Sequence, residues 1–324
     1  MKETLPKGHL INNRYEIIEP LGEGASAVVY QALDYNTNKL VTLKLFSLED
    51  IHSGSIAEKL RFFHRESTLL ERISHPNIVR IIENGIYKLT QPFLIMEFTP
   101  GITLDHIIES ETLNIERIIN ILNQIAYGLD EIHSKGIIHR DINPKNILID
   151  NSQKDEKVKL LDFGIAKLTR ESDEDYLQTI TSTSAIVGTV YYMSPEQCGN
   201  KELNHRTDIY SLGITIYEML AGSPPFHQHS PIMVANGHLR LSPPALENVS
   251  QNIEKVVFKA LEKDPQQRFS SALEFAQAFE LAYKQNILNI DDKSSKVKED
   301  NSQNRIKSLW QNLIDWKNTS SETK

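Results

Sequence analysis

"IIHRDINPKNILID", residues 137–150, places a polar loop between two apolar, β-branched segments. The flanks predict two short strands, and the polar middle predicts the loop that joins them. Asp141 and Asn146 lie five residues apart in that loop, with a proline between them and Asn143 two residues after the aspartate. A carboxylate and an amide concentrated in one short loop indicate a functional site.

A second carboxylate follows in "VKLLDFGIAK", where Asp162 closes an apolar strand next to Phe163 and Gly164. A carboxylate at a strand end beside glycine is often only a turn residue. Asn146 and Asp162, on adjacent loops, would also suit Mg²⁺, which proteins often hold with one or two carboxylates together with substrate phosphates. Asp141 would then accept the proton of an incoming hydroxyl group.

The stretch "LGEGASAVVY", residues 21–30, fits a Gly-x-Gly-x-x-[Gly]-x-Val pattern through Gly22, Gly24 and Val29. Glycines at a turn between strands let backbone amides approach phosphates without a clash from a Cβ atom. An ordinary hairpin also needs glycines, so this signal alone is weak. It is not a dinucleotide-binding fingerprint, because a strand follows the glycines where that fingerprint requires a helix.

Lys44 stands in "VTLKLF", an otherwise apolar predicted strand. Such a lysine usually points toward solvent. The alternative is a lysine that points into a cleft and is held charged by an acid. Glu66 could be that acid, since it lies on a helix predicted over residues 55–73 from apolar residues at helical spacing.

Length and composition give the frame for these motifs. The chain has 324 residues, of which 40% are apolar and 24% charged, as in ordinary globular proteins of two domains or one bilobed domain. A strand-rich part over residues 15–98 is followed by a break at 99–101 and by a mostly helical part over 102–284. The net charge of −8 argues against nucleic acid or an anionic membrane as the main partner.

Other features of the composition indicate a cytoplasmic protein. The single cysteine, Cys198, excludes an internal disulfide and fits a reducing compartment. The first residues contain no apolar signal-peptide segment, and no apolar run approaches the ~20 residues that a membrane span needs.

Taken together, these motifs resemble those of the eukaryotic-like Ser/Thr kinases of the protein kinase superfamily, and most of all its bacterial members. The resemblance covers roughly residues 15–282 and is carried by an ordered set of motifs, which is far more specific than any one of them. These are "GEGASAVV", "VTLK", Glu66, "HRDINPKN", "DFG", "GTVYYMSPEQ", "TDIYSLG" and Arg268 in "DPQQRFSS".

The resemblance implies an α+β, bilobed kinase fold. It predicts a small β-rich N-lobe with one main helix over 15–98 and a larger, mostly helical C-lobe over 102–284, after an N-terminal extension at 1–14. It also implies a Ser/Thr protein kinase that transfers the γ-phosphate of ATP to protein hydroxyls in signalling and uses Mg²⁺. The alternative is a weak or inactive pseudokinase that binds nucleotide or partners as a scaffold.

The resemblance assigns roles residue by residue. Asp141 is the catalytic base, Lys44 holds phosphates and pairs with Glu66, and Asn146 and Asp162 hold Mg²⁺. ATP would be covered by the glycine loop and would meet the gatekeeper Met96 and the backbone of Glu97 and Phe98. The loop comprises Leu21, Gly22, Glu23, Gly24, Ala25, Ser26, Ala27, Val28 and Val29. Two structural pairings are also implied: Glu196 with Arg268, and Asp208 with the catalytic-loop backbone.

The chain departs from the family pattern most clearly at Asn143, where a lysine that contacts the γ-phosphate is usual. A charge-assisted hydrogen bond contributes about 1.5–3 kcal/mol, so its loss could lower the rate about 10- to 100-fold. Lys145 lies close enough in sequence to compensate. Ala27 stands in place of the third glycine, and Val190 stands where proline is common.

Two further segments carry regulatory hypotheses. The loop from Asp162 to Glu196 contains five candidate phosphate acceptors, Thr179, Thr181, Ser182, Thr183 and Ser184, and a phosphate there could pair with Arg140 and Lys167. Residues 285–304 predict a polar linker, 305–316 an amphipathic helix with both tryptophans, and 317–324 a disordered end. The amphipathic helix could pack on the domain, dock on a partner or contact a membrane surface.

Overall fold

A computed structural model of the chain describes residues 4–24, 27–47, 55–152, 155–163, 190–228 and 230–288. The strands are β1 (Leu10–Ile11), β2 (Tyr15–Glu23), β3 (Ala27–Asp34), β4 (Lys39–Phe46), β5 (Ile81–Tyr87), β6 (Gln91–Glu97), β7 (Ile102–Thr103), β8 (Ile147–Asp150) and β9 (Lys157–Leu160). The helices are α1 (Ile56–Leu70), α2 (Leu104–Ser110), α3 (Ile115–Ser134), α4 (Pro195–Cys198), α5 (Arg206–Ala221), α6 (Pro231–Arg240), α7 (Gln251–Ala260) and α8 (residues 272–288), with 3₁₀ turns at Pro144–Asn146 and Pro265–Gln267.

The N-terminal part is a six-stranded antiparallel sheet in the order β1-β2-β3-β4-β6-β5, with α1 packed against it. β3 lies between β2 and β4. Val29 on β3 is opposite Gly22 on β2 and opposite Lys44 on β4, so a single strand separates the glycine loop from Lys44. α1 begins at a capping box in which Ser55 and Glu58 satisfy each other's backbone amides. The predicted α+β architecture is confirmed in this part.

The C-terminal part is mostly helical and forms around α3 and α5. The apolar residues of α3 recur at helical spacing, and those facing the interior are fully buried: Ile118, Ile121, Leu122, Ile125, Leu129 and Ile132. Gly136, just past the end of α3, has a φ of 72°, the left-handed conformation that favours glycine after a helix. The predicted helical C-lobe is therefore confirmed.

A small antiparallel sheet, β7-β8-β9, contacts the N-terminal part at β9, where the carbonyl of Leu160 accepts the amide of Val79 at 2.9 Å. The chain crosses between the sheets at residues 98–101, between β6 and β7. Gly101 has a φ of 151°, and a Cβ atom there would lie 2.6 Å from the carbonyl oxygen of Ile149. At position 101 the chain therefore passes too close to β8 for any residue other than glycine.

Two sequence expectations need correction. Residues 137–139 do not form a strand, because the amide of His139 bonds to the carboxylate of Asp208 and that of Ile137 to the end of α3. The last helix also continues to residue 288, four residues into the segment expected to be linker.

The predicted amphipathic segment at 305–316 lies outside the described residues. Among the helices that are described, none is long and apolar enough to cross a membrane.

Candidate active site

The glycine loop connects β2 to β3 above the cleft. Gly22 lies opposite Val29 in the register, and the amide of Gly24 bonds to the carbonyl of Ala27 at 2.8 Å. No atom comes within 4 Å of the position a Cβ would take on Gly22, so the backbone there is open to a ligand. Ala27, which stands where the third glycine is usual, is buried and its methyl group packs in the core. Ala25 and Ser26, at the tip, lie outside the described residues.

Lys44 points into the cleft and not toward solvent. Its Nζ lies 2.8 Å from Oδ2 of Asp162, and its side chain is 15% exposed. This pair connects the N-terminal sheet to the segment that follows β9. The predicted lysine that points into a cleft and pairs with an acid is thus present, although the acid is Asp162.

The expected ion pair between Lys44 and Glu66 is absent from this conformation. Among the described residues, Glu66 is paired with its neighbour Arg65 at 3.0 Å; the arginine side chain is 69% exposed and the glutamate side chain 21%. The carboxylates of Asp162 and Glu66 could each pair with the ammonium group of Lys44, and in this structure Asp162 does so. The sequence places Glu66 on α1 but does not determine which acid pairs with Lys44.

Glu66 instead lines a cavity of about 420 Å³ between α1 and the segment after α3. The other charged groups of this cavity are Arg72, Lys135 and Arg140, and Phe163 forms part of its wall. Burial lowers the pKa of Arg140, while the negative charges of Asp208 and Glu66 oppose the shift. The buried Nε of Arg140 makes no hydrogen bond to the described residues. Three cationic side chains and one carboxylate line the cavity, so it has an excess of positive charge.

Asp141 lies in the loop before β8, and two amides contact its carboxylate. Nδ2 of Asn143 donates to Oδ1 at 3.1 Å, and Nδ2 of Asn146 donates to Oδ2 at 3.0 Å. Proton acceptance by this carboxylate needs a defined orientation toward the substrate hydroxyl. The loop provides such an orientation.

The backbone of this loop is attached to α5 through Asp208. Its two carboxylate oxygens accept the amide hydrogens of His139 and Arg140, both at 2.8 Å, and His133 Nε2 lies 2.7 Å from Oδ2. Burial alone would raise the pKa of Asp208, but its contacts with His133 and His139 hold the pKa below the ordinary value. Asp208 thus has the anchoring role that the resemblance implied. Sequence reasoning missed His133, which only the packing of α3 on α5 brings to Asp208.

Asn146 and Asp162 are brought together by the pairing of β8 with β9. The amide of Leu161 bonds to the carbonyl of Asn146 at 2.8 Å, which places these two side chains on neighbouring loops. Oδ1 of Asn146 accepts no hydrogen bond from the described residues, and Asp162 is 29% exposed. Two side-chain oxygens on neighbouring loops would fit Mg²⁺, which keeps its other ligands as water and phosphate. The described residues contain no cluster of three His, Cys, Asp or Glu side chains that could bind a metal without a substrate.

The expected adenine contacts lie at the end of β6. Met96 is buried, opposite Thr42 on β4. The amide of Glu97 bonds to the carbonyl of Arg80 at 2.9 Å, and its carboxylate pairs with Lys159. The amide of Glu97 is therefore already used and does not donate to adenine in this conformation. Phe98 is the next residue and lies at the crossing between the two sheets.

Glu196 and Arg268 form a buried bidentate ion pair, as the resemblance implied. The distances are 2.7 Å and 2.8 Å, and Thr207 donates a third hydrogen bond to Glu196 at 2.8 Å.

Sequence reasoning missed Gln197, whose side-chain amide donates to the backbone carbonyl of Arg140 at 3.0 Å. The signal was the capping box that Ser194 and Gln197 form at α4. The candidate acceptors from Thr179 to Ser184 and Lys167 lie outside the described residues.

Comparison with known proteins agrees with this geometry. A family model described as "Protein kinase domain" matches residues 15–284. A probable serine/threonine-protein kinase of Clostridium perfringens is 36% identical over 293 residues, which are 89% of this chain and 41% of that protein. Serine/threonine-protein kinase PknB of Mycobacterium tuberculosis is 35% identical over 272 residues, 82% of this chain and 42% of PknB.

Serine/threonine-protein kinase PrkC of Bacillus subtilis is 33% identical over 302 residues, which are 90% of this chain and 44% of PrkC. The chain thus spans less than half the length of these curated relatives.

Proposed function

This chain belongs to the protein kinase family, and from that premise we propose that it is an active Ser/Thr protein kinase that phosphorylates protein hydroxyls with ATP. The observation that carries the proposal is the arrangement of Asp141, whose carboxylate is held at both oxygens on the loop next to the Lys44–Asp162 pair. This arrangement supports a site in which a proton acceptor, a phosphate-binding cation and two metal-binding oxygens act together.

Each residue has a defined task in this mechanism. Asp141 accepts the proton of the substrate hydroxyl as its oxygen attacks the γ-phosphate. The open backbone at Gly22 and the ammonium of Lys44 bind the nucleotide phosphates and hold them in line. Asn146 and Asp162 would hold Mg²⁺, which supplies neutralisation of phosphate charge when bound. Positioning and charge stabilisation account for most of the catalysis in phosphoryl transfer.

We also propose that the chain phosphorylates its own loop between Asp162 and Glu196. The support is the positively charged cavity at Arg140, whose buried Nε has no partner among the described residues. A phosphate adds about −1.5 to −2 charge and would pair with such a group.

The experiment that tests the proposal is incubation of the purified chain with ATP and Mg²⁺, with and without a general protein substrate. We expect ADP formation and phosphate on residues 179–184, mapped by mass spectrometry. Absence of ADP formation in the presence of measurable ATP binding would instead support a nucleotide-binding scaffold. That second function is favoured by one observation: Lys44 pairs with Asp162 and Glu66 with Arg65, so the ion pair expected between Lys44 and Glu66 is not formed.

The position of Glu66 makes a prediction that separates activity from stability. Glu66→Gln should change the free energy of unfolding by less than about 1 kcal/mol, because its ion pair with Arg65 is exposed. If catalysis requires Glu66 to move to Lys44, as the resemblance implies, kcat should fall about 10- to 100-fold with the loss of a charged hydrogen bond. The measurements are steady-state kinetics and thermal unfolding.

The matched control is Arg65→Gln, which removes the same exposed ion pair and leaves the Glu66 carboxylate intact. We expect wild-type kcat from this control. Equal kcat for Glu66→Gln and the wild type would show that the conformation described here is itself the catalytic one.

A further inference from the structure

Asn143 is buried, and both ends of its side-chain amide are engaged. Nδ2 donates to the backbone carbonyl of Asp141 at 3.0 Å and to its Oδ1 at 3.1 Å. Oδ1 accepts the backbone amide of Lys145 at 3.0 Å and so caps the 3₁₀ turn that begins at Pro144. The side chain is thus directed into the loop that contains Asp141.

The contacts determine which end of the amide faces Asp141. A carboxylate and a carbonyl only accept hydrogen bonds, and a backbone N–H only donates. Turning the amide of Asn143 around would oppose acceptor to acceptor and donor to donor at the same time. The donor end therefore faces the catalytic aspartate.

Asn146 makes the matching contacts from the other side. Its Nδ2 donates to the backbone carbonyl of Asp141 at 2.9 Å and to Oδ2 at 3.0 Å. The terminal torsion of an aspartate is otherwise broad. Two amides that bind opposite oxygens restrict that torsion, which neither amide could do alone.

We propose that Asn143 is a positioning residue that, together with Asn146, orients the carboxylate of Asp141 to accept the proton of the substrate hydroxyl. This inference rests on the proposed function. The sequence alone predicted that asparagine at position 143 lowers the rate, because the usual lysine contact with the γ-phosphate is lost. In the proposed role, Asn143 supports the reaction instead through a hydrogen bond to the proton acceptor.

Two variants of Asn143 separate positioning from capping. Asn143→Asp keeps the acceptor that caps Lys145 but replaces the donors that face Asp141 with a carboxylate. Asn143→Leu has a similar shape and no added charge, and it removes the cap and the donors together. Positioning predicts that both variants lose kcat about 10- to 100-fold, the effect of a hydrogen bond to a charged group. For Asn143→Leu, KM for ATP should stay within about twofold of the wild type, because only the transition state loses an interaction.

Asn114→Leu serves as the control, because Asn114 caps the start of α3 by the same kind of contact, to the amide of Arg117 at 2.8 Å. It should lower the melting temperature and leave kcat unchanged. A loss of kcat in Asn143→Leu but not in Asn143→Asp would assign the residue to capping and overturn the proposal.

A structural readout distinguishes failure of this inference from failure of the proposed function. If the wild type forms no ADP, crystal structures of the wild type and Asn143→Leu still test the orientation of Asp141. A carboxylate that turns away from its wild-type direction in Asn143→Leu supports positioning. An unchanged direction contradicts it.

Discussion

Replacing Asp141 with asparagine should lower kcat about 10²- to 10⁴-fold, the range that a positioned proton acceptor contributes. The substitution preserves shape but removes the negative charge and the capacity to accept a proton. The dissociation constant for ATP should remain within about twofold of the wild-type value, since the phosphate-binding groups are unchanged. The measurements are ADP formation at saturating ATP and binding of a fluorescent ATP analogue.

The fold should survive this substitution. The introduced amide would present its donor to the donor of either Asn143 or Asn146, so about one hydrogen bond is lost, with a cost of about 0.5–1.5 kcal/mol. Asp155→Asn, at an exposed aspartate, controls for the loss of a surface charge. Activity above about a tenth of the wild-type value in Asp141→Asn would show that another group accepts the proton.

Arg268→Ala is expected to destabilise the C-terminal part by about 3–5 kcal/mol, the usual cost of leaving one partner of a buried ion pair uncompensated. Arg268 is 3% exposed and forms the bidentate pair with Glu196. Its N–H groups also donate to the backbone carbonyls of Arg206, Glu262 and Lys263. The truncation therefore leaves a buried charge and three acceptors without their donor.

Thermal unfolding measures this effect, and a loss of that size should lower the melting temperature by about 6–20 °C. The double variant Glu196→Gln with Arg268→Met provides the control, because it removes both charges and retains most of the buried volume. We expect it to be more stable than Arg268→Ala. If the two variants are equally unstable, the three backbone carbonyls that lose their donor in both variants account for the effect, and the unpaired charge of Glu196 does not.

The same pair gives a pH dependence with a definite sign. Burial alone would raise the pKa of Glu196, but hydrogen bonds from Arg268 and Thr207 lower it below the ordinary value of 4.5. A carboxyl whose pKa is lower in the folded state contributes stability above pH 4.5, and this contribution is lost as the pH falls through the folded-state pKa. Arg268→Ala removes the largest of the influences that lower this pKa and leaves burial, which raises it, so the stability difference from the wild type should shrink as the pH is lowered toward protonation of Glu196.

The local sequence pattern was sufficient to predict those features that depend on contacts between residues close in the chain. The spacing of apolar residues predicted a helix over 55–73, and α1 is observed at Ile56–Leu70. The ordered motifs located Asp141, Asn146 and Asp162, and the structure places Asn146 and Asp162 on neighbouring loops as the chain order required.

The sequence was insufficient where an outcome depends on competition between distant groups. Lys44 has two acids within the family pattern, and residue type does not decide between Asp162 and Glu66, which lie on distant segments of the chain. The flank at 137–139 has the composition of a strand, but Asp208, 69 residues later, binds the amide of His139 that a strand partner would use. The role of Asn143 was likewise hidden, because residue type alone does not say which way an amide faces.

The attachment of the catalytic loop to Asp208 has a consequence for amide hydrogen exchange. The amides of His139 and Arg140 are bonded to a fully buried carboxylate on α5, and α5 is buried along nearly its whole length. Exchange of such amides requires α5 to open, whereas loop amides usually exchange through small local openings. Although they lie outside any helix or strand, these two amides should exchange with deuterium as slowly as the interior of α5.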